Sequence, residues 1–290
     1  MKPREIVVIS GKGGTGKTTL TASLAATSPR LAVFCDADVD APDLEILLRP
    51  ESTGTYTFWG MQTAKIHESC CIGCGACVEA CRFRAIDMEQ GKAHVETTFC
   101  EGCAACKLVC PNDCVEMVDT KQGKWFTGET AWGPLFHARL NPGGENSGTL
   151  ITILREETRK AAESLGRDLI LVDGPPGIAC PAISALSGAD MALVVTEPTL
   201  SGQHDLKRIA GICDKFEVPV VVALNKTDLS TSGAEKIRET CRDNGWRLAA
   251  EIPFMRPVVD RIAAAEIPTR EMDEAVQSLW EVLAPSGAEN

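Results

Sequence analysis

Short apolar segments recur along this 290-residue chain and alternate with stretches of helical periodicity. The apolar segments of strand length are residues 6–9, 31–34, 168–172, 191–196, 218–225 and 247–252. The stretches that predict helices are residues 149–165, 203–216, 234–243 and 271–283, the last with a stripe of Met272, Val276, Leu279 and Leu283. Strands that alternate with helices predict an α/β fold with a doubly wound, mostly parallel sheet.

This pattern is interrupted in the first half of the chain. Residues 50–62 lack a period and contain several glycines and threonines, so we expect a connector there. After a cysteine-rich segment, residues 124–140 predict a strand or hairpin pair, and a turn-rich loop at 141–148 leads into the next helix, with Asn146 and Ser147 as candidate caps. The predicted organisation is a sheet domain, a small inserted α+β domain and the rest of the sheet domain, at residues 1–62, 63–119 and 120–290.

Composition narrows the class of protein. A hydrophobic content of 44% with only 5% aromatic residues suits an aliphatic, parallel sheet. The net charge of −11 argues against nucleic acid or an anionic membrane as the main partner, whereas a cationic protein partner is compatible with it. No apolar run reaches the roughly 18 residues of a membrane span, and the first strand follows Met1 almost directly, so we expect a cytoplasmic protein.

The first strand runs into a phosphate-binding motif. Residues 11–18 have the spacing G-x-x-x-x-G-K-[ST], in which glycines allow backbone N–H groups to face inward at the start of a helix. Lys17 is expected to reach the β- and γ-phosphates, and the Thr18 hydroxyl to bind Mg²⁺. The predicted nucleotide-binding residues of this loop are Gly11, Gly13, Gly14, Thr15, Gly16, Lys17, Thr18 and Thr19.

A lysine directly after the first glycine makes the motif more specific. With Lys12, the stretch GKGGTGKTT resembles the deviant P-loop of the MinD/Mrp family, which includes ParA and the nitrogenase iron protein. The resemblance implies a dimeric ATPase in which Lys12 reaches the nucleotide of the partner copy. Lys12, Lys17 and Asp38 are then the predicted catalytic residues. The dimer could be a homodimer or a heterodimer with a homologous ATPase.

Acidic residues end two of the predicted strands, where open α/β sheets bind their ligands. Asp36 and Asp38 follow the second strand, and Asp173 ends the strand at 168–172 before Gly174-Pro175-Pro176-Gly177. The family resemblance implies that the first pair belongs to switch I, with Asp36 near Mg²⁺ and Asp38 near the attacking water. DGPPG resembles switch II, which makes Asp173 a further Mg²⁺ ligand candidate together with Thr18.

Two cysteine runs form an internal repeat with an offset of 29 residues. Each has the spacing C-x2-C-x2-C-x3-C of bacterial ferredoxins, in which the fourth cysteine ligates the other cluster. We therefore assign one [4Fe-4S] cluster to Cys71, Cys74, Cys77 and Cys110. The second is assigned to Cys81, Cys100, Cys103 and Cys106.

Structural zinc is the alternative for such cysteine pairs, but two tandem runs of this length fit cubane clusters better. Arg82 stands where the run usually has proline. The cysteines outside the register, Cys70 and Cys114, are interpreted as ordinary small residues, and Cys180 as a buried thiol. Cys35, Cys213 and Cys241 are expected in the core or in helices.

The strand at 218–225 ends in an element that could bind a purine base. Asn225, Lys226 and Asp228 have the N-K-x-D spacing with which GTPases read guanine, whereas the resembled family holds adenine with a similar segment. We favour ATP because of the deviant P-loop.

Two functional hypotheses follow for the whole chain. The first is an ATPase that gates electron transfer from its clusters to an unidentified redox partner protein. The second is an assembly or positioning factor that uses ATP hydrolysis to load a metal cofactor or to localise a partner. A purely structural role for the clusters is also compatible with the sequence.

Overall fold

The computed structural model describes residues 2–141 and 147–284. Most of the predicted loop at 141–148, including Asn146, and the C-terminal residues 285–290 lie outside this range. The chain divides into two compact units. The first is Met1–Thr55, Trp125–Arg139 and Ser147–Asn290, and the second is Tyr56–Lys124 and Leu140–Asn146.

A nine-stranded sheet and a two-stranded hairpin contain the described strands. The strands are β1 (Arg4–Ser10), β2 (Ala32–Asp36), β3 (Glu51–Ile66), β4 (Ile86–Glu89), β5 (Lys92–Val95), β6 (Val115–Thr130), β7 (Gly133–Leu140), β8 (Leu169–Pro176), β9 (Met191–Thr196), β10 (Val220–Asn225) and β11 (Arg247–Ile252). The large sheet has the order β11-β10-β9-β1-β8-β2-β7-β6-β3, and β4 pairs with β5. From β11 to β7 the pairs are parallel, which confirms the predicted α/β sheet.

The helices among the described residues are α1 (Lys17–Ala26), α2 (Leu44–Leu48), α3 (Ala76–Ala80), α4 (Ala105–Leu108), α5 (Ser147–Ser164), α6 (Cys180–Leu186), α7 (Leu200–Lys215), α8 (Thr231–Asp243), α9 (Arg256–Ala263) and α10 (Asp273–Leu283). Of these, α3 and α4 belong to the second unit and the others to the first. Residues 6–9 of β1 are fully buried, as is expected for a strand with neighbours on both sides. The predicted stripe of α10 is also buried, so its assignment to the core is confirmed.

The prediction of a connector at residues 50–62 is wrong, because residues 51–62 belong to the 16-residue strand β3. Its glycines are not turn residues. At Gly60 a Cβ atom would lie 2.3 Å from Cγ of Gln122, so glycine is needed for a close approach within the sheet. Together with the equally long β6, this strand runs from the first unit into the second.

The second unit has a small core built from the sequence repeat. Its buried residues form three pairs, each separated by the 29-residue offset: Ala64 with Ala93, Cys77 with Cys106, and Ile86 with Val115. The two cysteine runs therefore occupy equivalent positions in two similar halves.

Among the described residues of the whole chain, the helices lack the length and apolar character needed to cross a bilayer.

Candidate functional site

The P-loop lies between the carboxyl end of β1 and the first turn of α1. Gly14 and Gly16 have φ angles of 79° and 90°, which L-residues with a side chain rarely adopt. A Cβ atom at Gly16 would lie 2.4 Å from Nδ2 of Asn225, whereas one at Gly14 would meet no atom within 4 Å. The loop is thus supported by Asn225 on one side and open at Gly14, as a phosphate cradle requires.

Lys17 and Thr18 of this loop both contact Asp173 at the end of β8. The Lys17 ammonium lies 2.8 Å from Oδ1 of Asp173, and the Thr18 hydroxyl donates to Oδ2 over 2.7 Å. Burial alone would lower the pKa of Lys17, but Asp173 and Asp38 outweigh it and raise that pKa. A hydroxyl and a carboxylate side by side are the hard oxygen donors that Mg²⁺ prefers, so these residues fit the predicted metal site.

Asp36 holds in place the segment that was predicted as switch I. Its Oδ1 accepts a hydrogen bond from the backbone N–H of Asp38 over 3.1 Å, and its Oδ2 accepts one from the N–H of Leu44 over 3.0 Å. It is also the register partner of Asp173 on the adjacent strand β8. Burial and the neighbouring Asp173 raise the pKa of Asp36 well above its usual range. The structure therefore brings both predicted acids together at one edge of the sheet.

Asp38, in the loop after β2, lines a cavity together with residues of the P-loop. Its carboxylate lies 3.6 Å from the Lys17 ammonium, and burial raises its pKa to about 6 in spite of that cation. The cavity, of about 480 Å³, is lined by Gly13, Gly14, Thr15, Gly16, Lys17, Thr18, Thr19, Asp38, Asp40 and Pro176, among others.

We expect Asp38→Asn to stabilise the nucleotide-free protein at pH 7.5. Because the folded-state pKa is above the ordinary value of 3.8, the folded protein loses stability as pH rises from about 4 to about 6, and the full cost remains above that. With allowance for partial exposure, the gain should be about 1–2 kcal/mol at pH 7.5 and should shrink toward zero at pH 4. Urea unfolding at both pH values measures it, with Asp40→Asn on the exposed part of the loop as control; an equal gain at both pH values would contradict the assignment.

Lys12 is held by an acid that the sequence interpretation missed. Its ammonium lies 2.9 Å from Oε2 of Glu197, a buried residue at the carboxyl end of β9. The other oxygen of Glu197 lies 2.6 Å from the ammonium of Lys226, which also donates to the carbonyl of Gly14 over 2.7 Å. Burial would raise the pKa of Glu197, but hydrogen bonds from Lys226 and Lys12 lower it. The sequence did contain a signal for Glu197: it directly follows an apolar strand, at the end where open α/β sheets bind their ligands.

The predicted base-binding element contacts the P-loop from β10. Asn225 donates from Nδ2 to the carbonyl of Thr15 over 2.8 Å, and beside it lies a cavity of about 200 Å³ with a largely apolar wall. The residues of that wall are Ile252, Pro253, Phe254, Met255, Val258, Val259, Ile262 and Met272. Asp228 is not among the described residues that line the cavity, and its Oδ1 accepts from the N–H of Phe254 over 2.6 Å.

The cysteines of the second unit line two separate cavities. One is lined by Cys71, Cys74, Cys77 and Cys110, and the other by Cys81, Cys100, Cys103 and Cys106. The structure thus groups the thiols crosswise, in the two sets that the ferredoxin spacing predicts. Within residues 2–141 and 147–284, no three Cys, His, Asp or Glu side chains converge closely enough to hold a single metal ion.

Backbone N–H groups point at the sulfurs of both sets, which fits a bound cluster. Ala85 donates to Sγ of Cys81 over 3.3 Å, and Cys114 donates to Sγ of Cys110 over 3.2 Å. Hydrogen bonds from Ala93 and Gly73 lower the pKa of Cys71, which favours the thiolate that iron requires. A cluster bound at each cavity would supply one-electron redox chemistry.

Two expectations for the remaining cysteines are wrong. Cys70 and Cys114 form a disulfide with a Cα–Cα distance of 5.6 Å, instead of being ordinary small residues. Cys180 is exposed at the first position of α6, instead of being buried. The other three, Cys35, Cys213 and Cys241, are buried as expected.

Comparisons with known proteins identify one domain of the chain and several relatives. Residues 64–117 match the family model of a 4Fe-4S dicluster domain. An uncharacterized protein of Methanocaldococcus jannaschii is 32% identical over 78% of this chain and 79% of its own length. A putative septum site-determining protein MinD of Oltmannsiellopsis viridis is 27% identical over 73% of this chain and 51% of its own length.

Solved structures show the same fold. The septum site-determining protein MinD of Pyrococcus horikoshii, complexed with Mg-ADP, superposes with a TM-score of 0.58 at 18% identity and covers 97% of this chain and 96% of its own. A McdA–ATP complex from Cyanothece gives a TM-score of 0.58 at 14% identity and covers both chains fully. The chain therefore belongs to the MinD/ParA family of P-loop ATPases and carries a 4Fe-4S dicluster domain within its sequence.

Proposed function

We propose that this protein is a dimeric, Mg²⁺-dependent ATPase in which the nucleotide state controls electron transfer from two [4Fe-4S] clusters to a partner protein. Lys17 and the loop glycines bind the phosphates, Thr18 and Asp173 ligate Mg²⁺ with Asp36 beside them, and Asp38 orients the attacking water. Lys12 leaves Glu197 and stabilises the charge on the γ-phosphate of the other copy. Positioning and electrostatics supply most of the rate enhancement, as in other phosphoryl transfers.

ATP is the proposed nucleotide because the residues of the predicted base-binding element do not make the contacts that guanine requires. In a guanine-reading N-K-x-D element the aspartate must face the base. Here an oxygen of Asp228 is occupied by the N–H of Phe254, and the cavity wall is largely apolar. Asn225 lines the same cavity, and its Oδ1, which accepts the backbone N–H of Lys226 over 2.9 Å, has a second acceptor position that suits an adenine amino group.

The observation that supports the coupling is a set of contacts within the first unit, from the segment proposed as switch I to β7 and β6. The N–H of Leu44, at the start of α2, binds Asp36, and the next residue, Glu45, lies 2.8 Å from Nδ1 of His137 on β7. The His137 ring stacks on Phe126 of β6 with centroids 5.0 Å apart. Because α2 leads into β3, we expect a change in switch I to act on β3 and β6, two strands whose residues belong partly to each unit.

The proposal is tested by measuring ATPase rates with the clusters oxidised and reduced. The protein is purified without oxygen, iron and sulfide are counted, and turnover is compared in the two redox states. We expect the rates to differ, and Glu45→Gln to reduce that difference. Glu235→Gln, at an exposed position of α8, is the control. Equal rates in both redox states would contradict the coupling.

A second function is favoured by the exposure of one cysteine in each set. Cys74 and Cys103 are exposed, so a bound cluster could be reached by another protein. An assembly factor would transfer iron and sulfide to an apo-protein during ATP turnover. Iron that stays with this chain through many turnovers would favour electron transfer instead.

We expect Glu197→Gln to strengthen ATP-dependent dimerisation by about threefold to tenfold. A neutral amide holds the Lys12 ammonium more weakly, and a half-exposed ion pair of this kind contributes up to about 1 kcal/mol. Sedimentation velocity with a non-hydrolysable ATP analogue measures the dimer constant. The same substitution in a Lys12→Ala background is the control and should have no effect; an unchanged constant in the Lys12-containing protein would show that Glu197 does not restrain Lys12.

A further inference from the structure

The disulfide between Cys70 and Cys114 lies directly beside one set of cluster cysteines. Cys70 precedes Cys71 in the chain, and Cys114 lines the same cavity as Cys71, Cys74, Cys77 and Cys110. The backbone N–H of Cys114 also donates to Sγ of Cys110 over 3.2 Å. Each cysteine of the disulfide therefore has a direct link to an assigned cluster ligand: Cys70 through the peptide bond to Cys71, and Cys114 through the hydrogen bond to Cys110.

This pair is an addition to the ferredoxin repeat. With the 29-residue offset, the positions equivalent to Cys70 and Cys114 in the other half are Phe99 and Ala85. Ala85 makes the same backbone hydrogen bond to its cluster cysteine, Cys81, as Cys114 makes to Cys110. The other half thus makes this hydrogen bond and groups its four cysteines without a cysteine at either position, so cluster binding does not explain Cys70 and Cys114.

The two sulfur-bearing residues differ in exposure. Cys114 is only 2% exposed and contributes to the cavity wall, whereas Cys70 is partly exposed. The buried member is placed to exchange electrons with the cluster site. The partly exposed member is placed to take up protons from water and to meet an external thiol.

We propose that Cys70 and Cys114 are a redox-active pair that stores two electrons delivered by the clusters. In the reduction, the S–S bond breaks, two electrons and two protons are taken up, and two thiols form. Each cluster carries one electron at a time, so the two proposed clusters together hold the two electrons that one disulfide needs. The electrons come from a low-potential one-electron donor, and the protons come from water at Cys70.

This inference rests on the clusters of the proposed function but not on ATP hydrolysis. A purely structural disulfide is the competing explanation, since closing a 44-residue loop would itself stabilise this small unit. The two explanations differ in one respect. A structural disulfide stays closed when the clusters are reduced, whereas a redox-active pair opens.

An anaerobic reductive titration distinguishes them. Protein with both clusters bound and no added thiol is titrated with dithionite, and cluster absorbance reports the endpoint. We expect the natural chain to consume about four reducing equivalents, and the Cys70→Ser/Cys114→Ser variant about two. Cys180→Ser, which removes an exposed cysteine outside the pair, is the control and should also consume about four.

Differential alkylation with iodoacetamide and mass spectrometry gives an independent readout on the natural chain, in case the double variant loses iron. Because Cys114 is buried, the alkylation is done in denaturant, where Cys70 and Cys114 should be protected before reduction and alkylated after it. Equal electron uptake by the natural chain and an iron-replete double variant would overturn the proposal, as would a disulfide that survives full cluster reduction. A chain that binds no iron would overturn the cluster assignment itself, which the iron count reveals separately.

Discussion

Replacing Lys12 by alanine is expected to lower ATP turnover by about 100- to 1,000-fold while ATP binding by the single chain stays nearly unchanged. Lys12 is not needed to hold the phosphates in its own chain, because Lys17 and the loop backbone do that. It lies against Glu197 and is 40% exposed in its side chain, so its removal should cost little stability. Lys160→Ala, which removes an equally charged, exposed side chain from α5, is the control.

Mixing two inactive variants tests whether Lys12 acts across a dimer. In a mixed dimer of Lys12→Ala and Asp38→Asn, one active site combines an intact Asp38 with the Lys12 of the other copy. Random pairing of a symmetric dimer should then restore roughly a quarter of the natural turnover. If Lys12 acted within its own chain, the mixture would be as inactive as either variant alone.

The second large effect is expected in the clusters. Cys110→Ser should remove the cluster that Cys71, Cys74 and Cys77 hold, although Cys110 belongs to the other sequence run. Iron and sulfide should fall from about eight to about four atoms each per chain. The small core of this unit cannot replace the lost ligation, so its stability should fall as well.

Double variants test the crosswise assignment. Cys74→Ser added to Cys110→Ser should cost no further iron, because both residues line one cavity. Cys103→Ser added to Cys110→Ser should remove all of it, because Cys103 lines the other cavity. If each run bound its own cluster, these two results would be exchanged.

Much of the site could be predicted because its residues are close in sequence. The P-loop and the cysteine runs are local motifs, in which spacing alone fixes which atoms can converge on one ligand. Asp36 and Asp173 could be placed near the loop because the carboxyl ends of parallel strands share one edge. Their sheet register was not needed for that inference.

Other features depend on tertiary contacts that the sequence does not encode locally. Glu197 meets Lys12 only because β9 and β1 are neighbours in the sheet. The strand β3 was missed because its glycine at position 60 makes room for Gln122, which lies on a strand that begins some fifty residues later. The disulfide was missed because Cys70 and Cys114 fall outside the repeat that explains the other cysteines of their unit.

The coupling of nucleotide to clusters has one direct thermodynamic test. If ATP binding and cluster reduction are linked, the midpoint potentials of the clusters must depend on the bound nucleotide. The shift is about 60 mV for each tenfold difference in nucleotide affinity between the oxidised and the reduced protein. The potentials are measured by EPR-monitored redox titration with a non-hydrolysable ATP analogue and with ADP, each with Mg²⁺. We expect the potentials with the ATP analogue and with ADP to differ by tens of millivolts; identical potentials in both complexes would contradict ATP-controlled electron transfer.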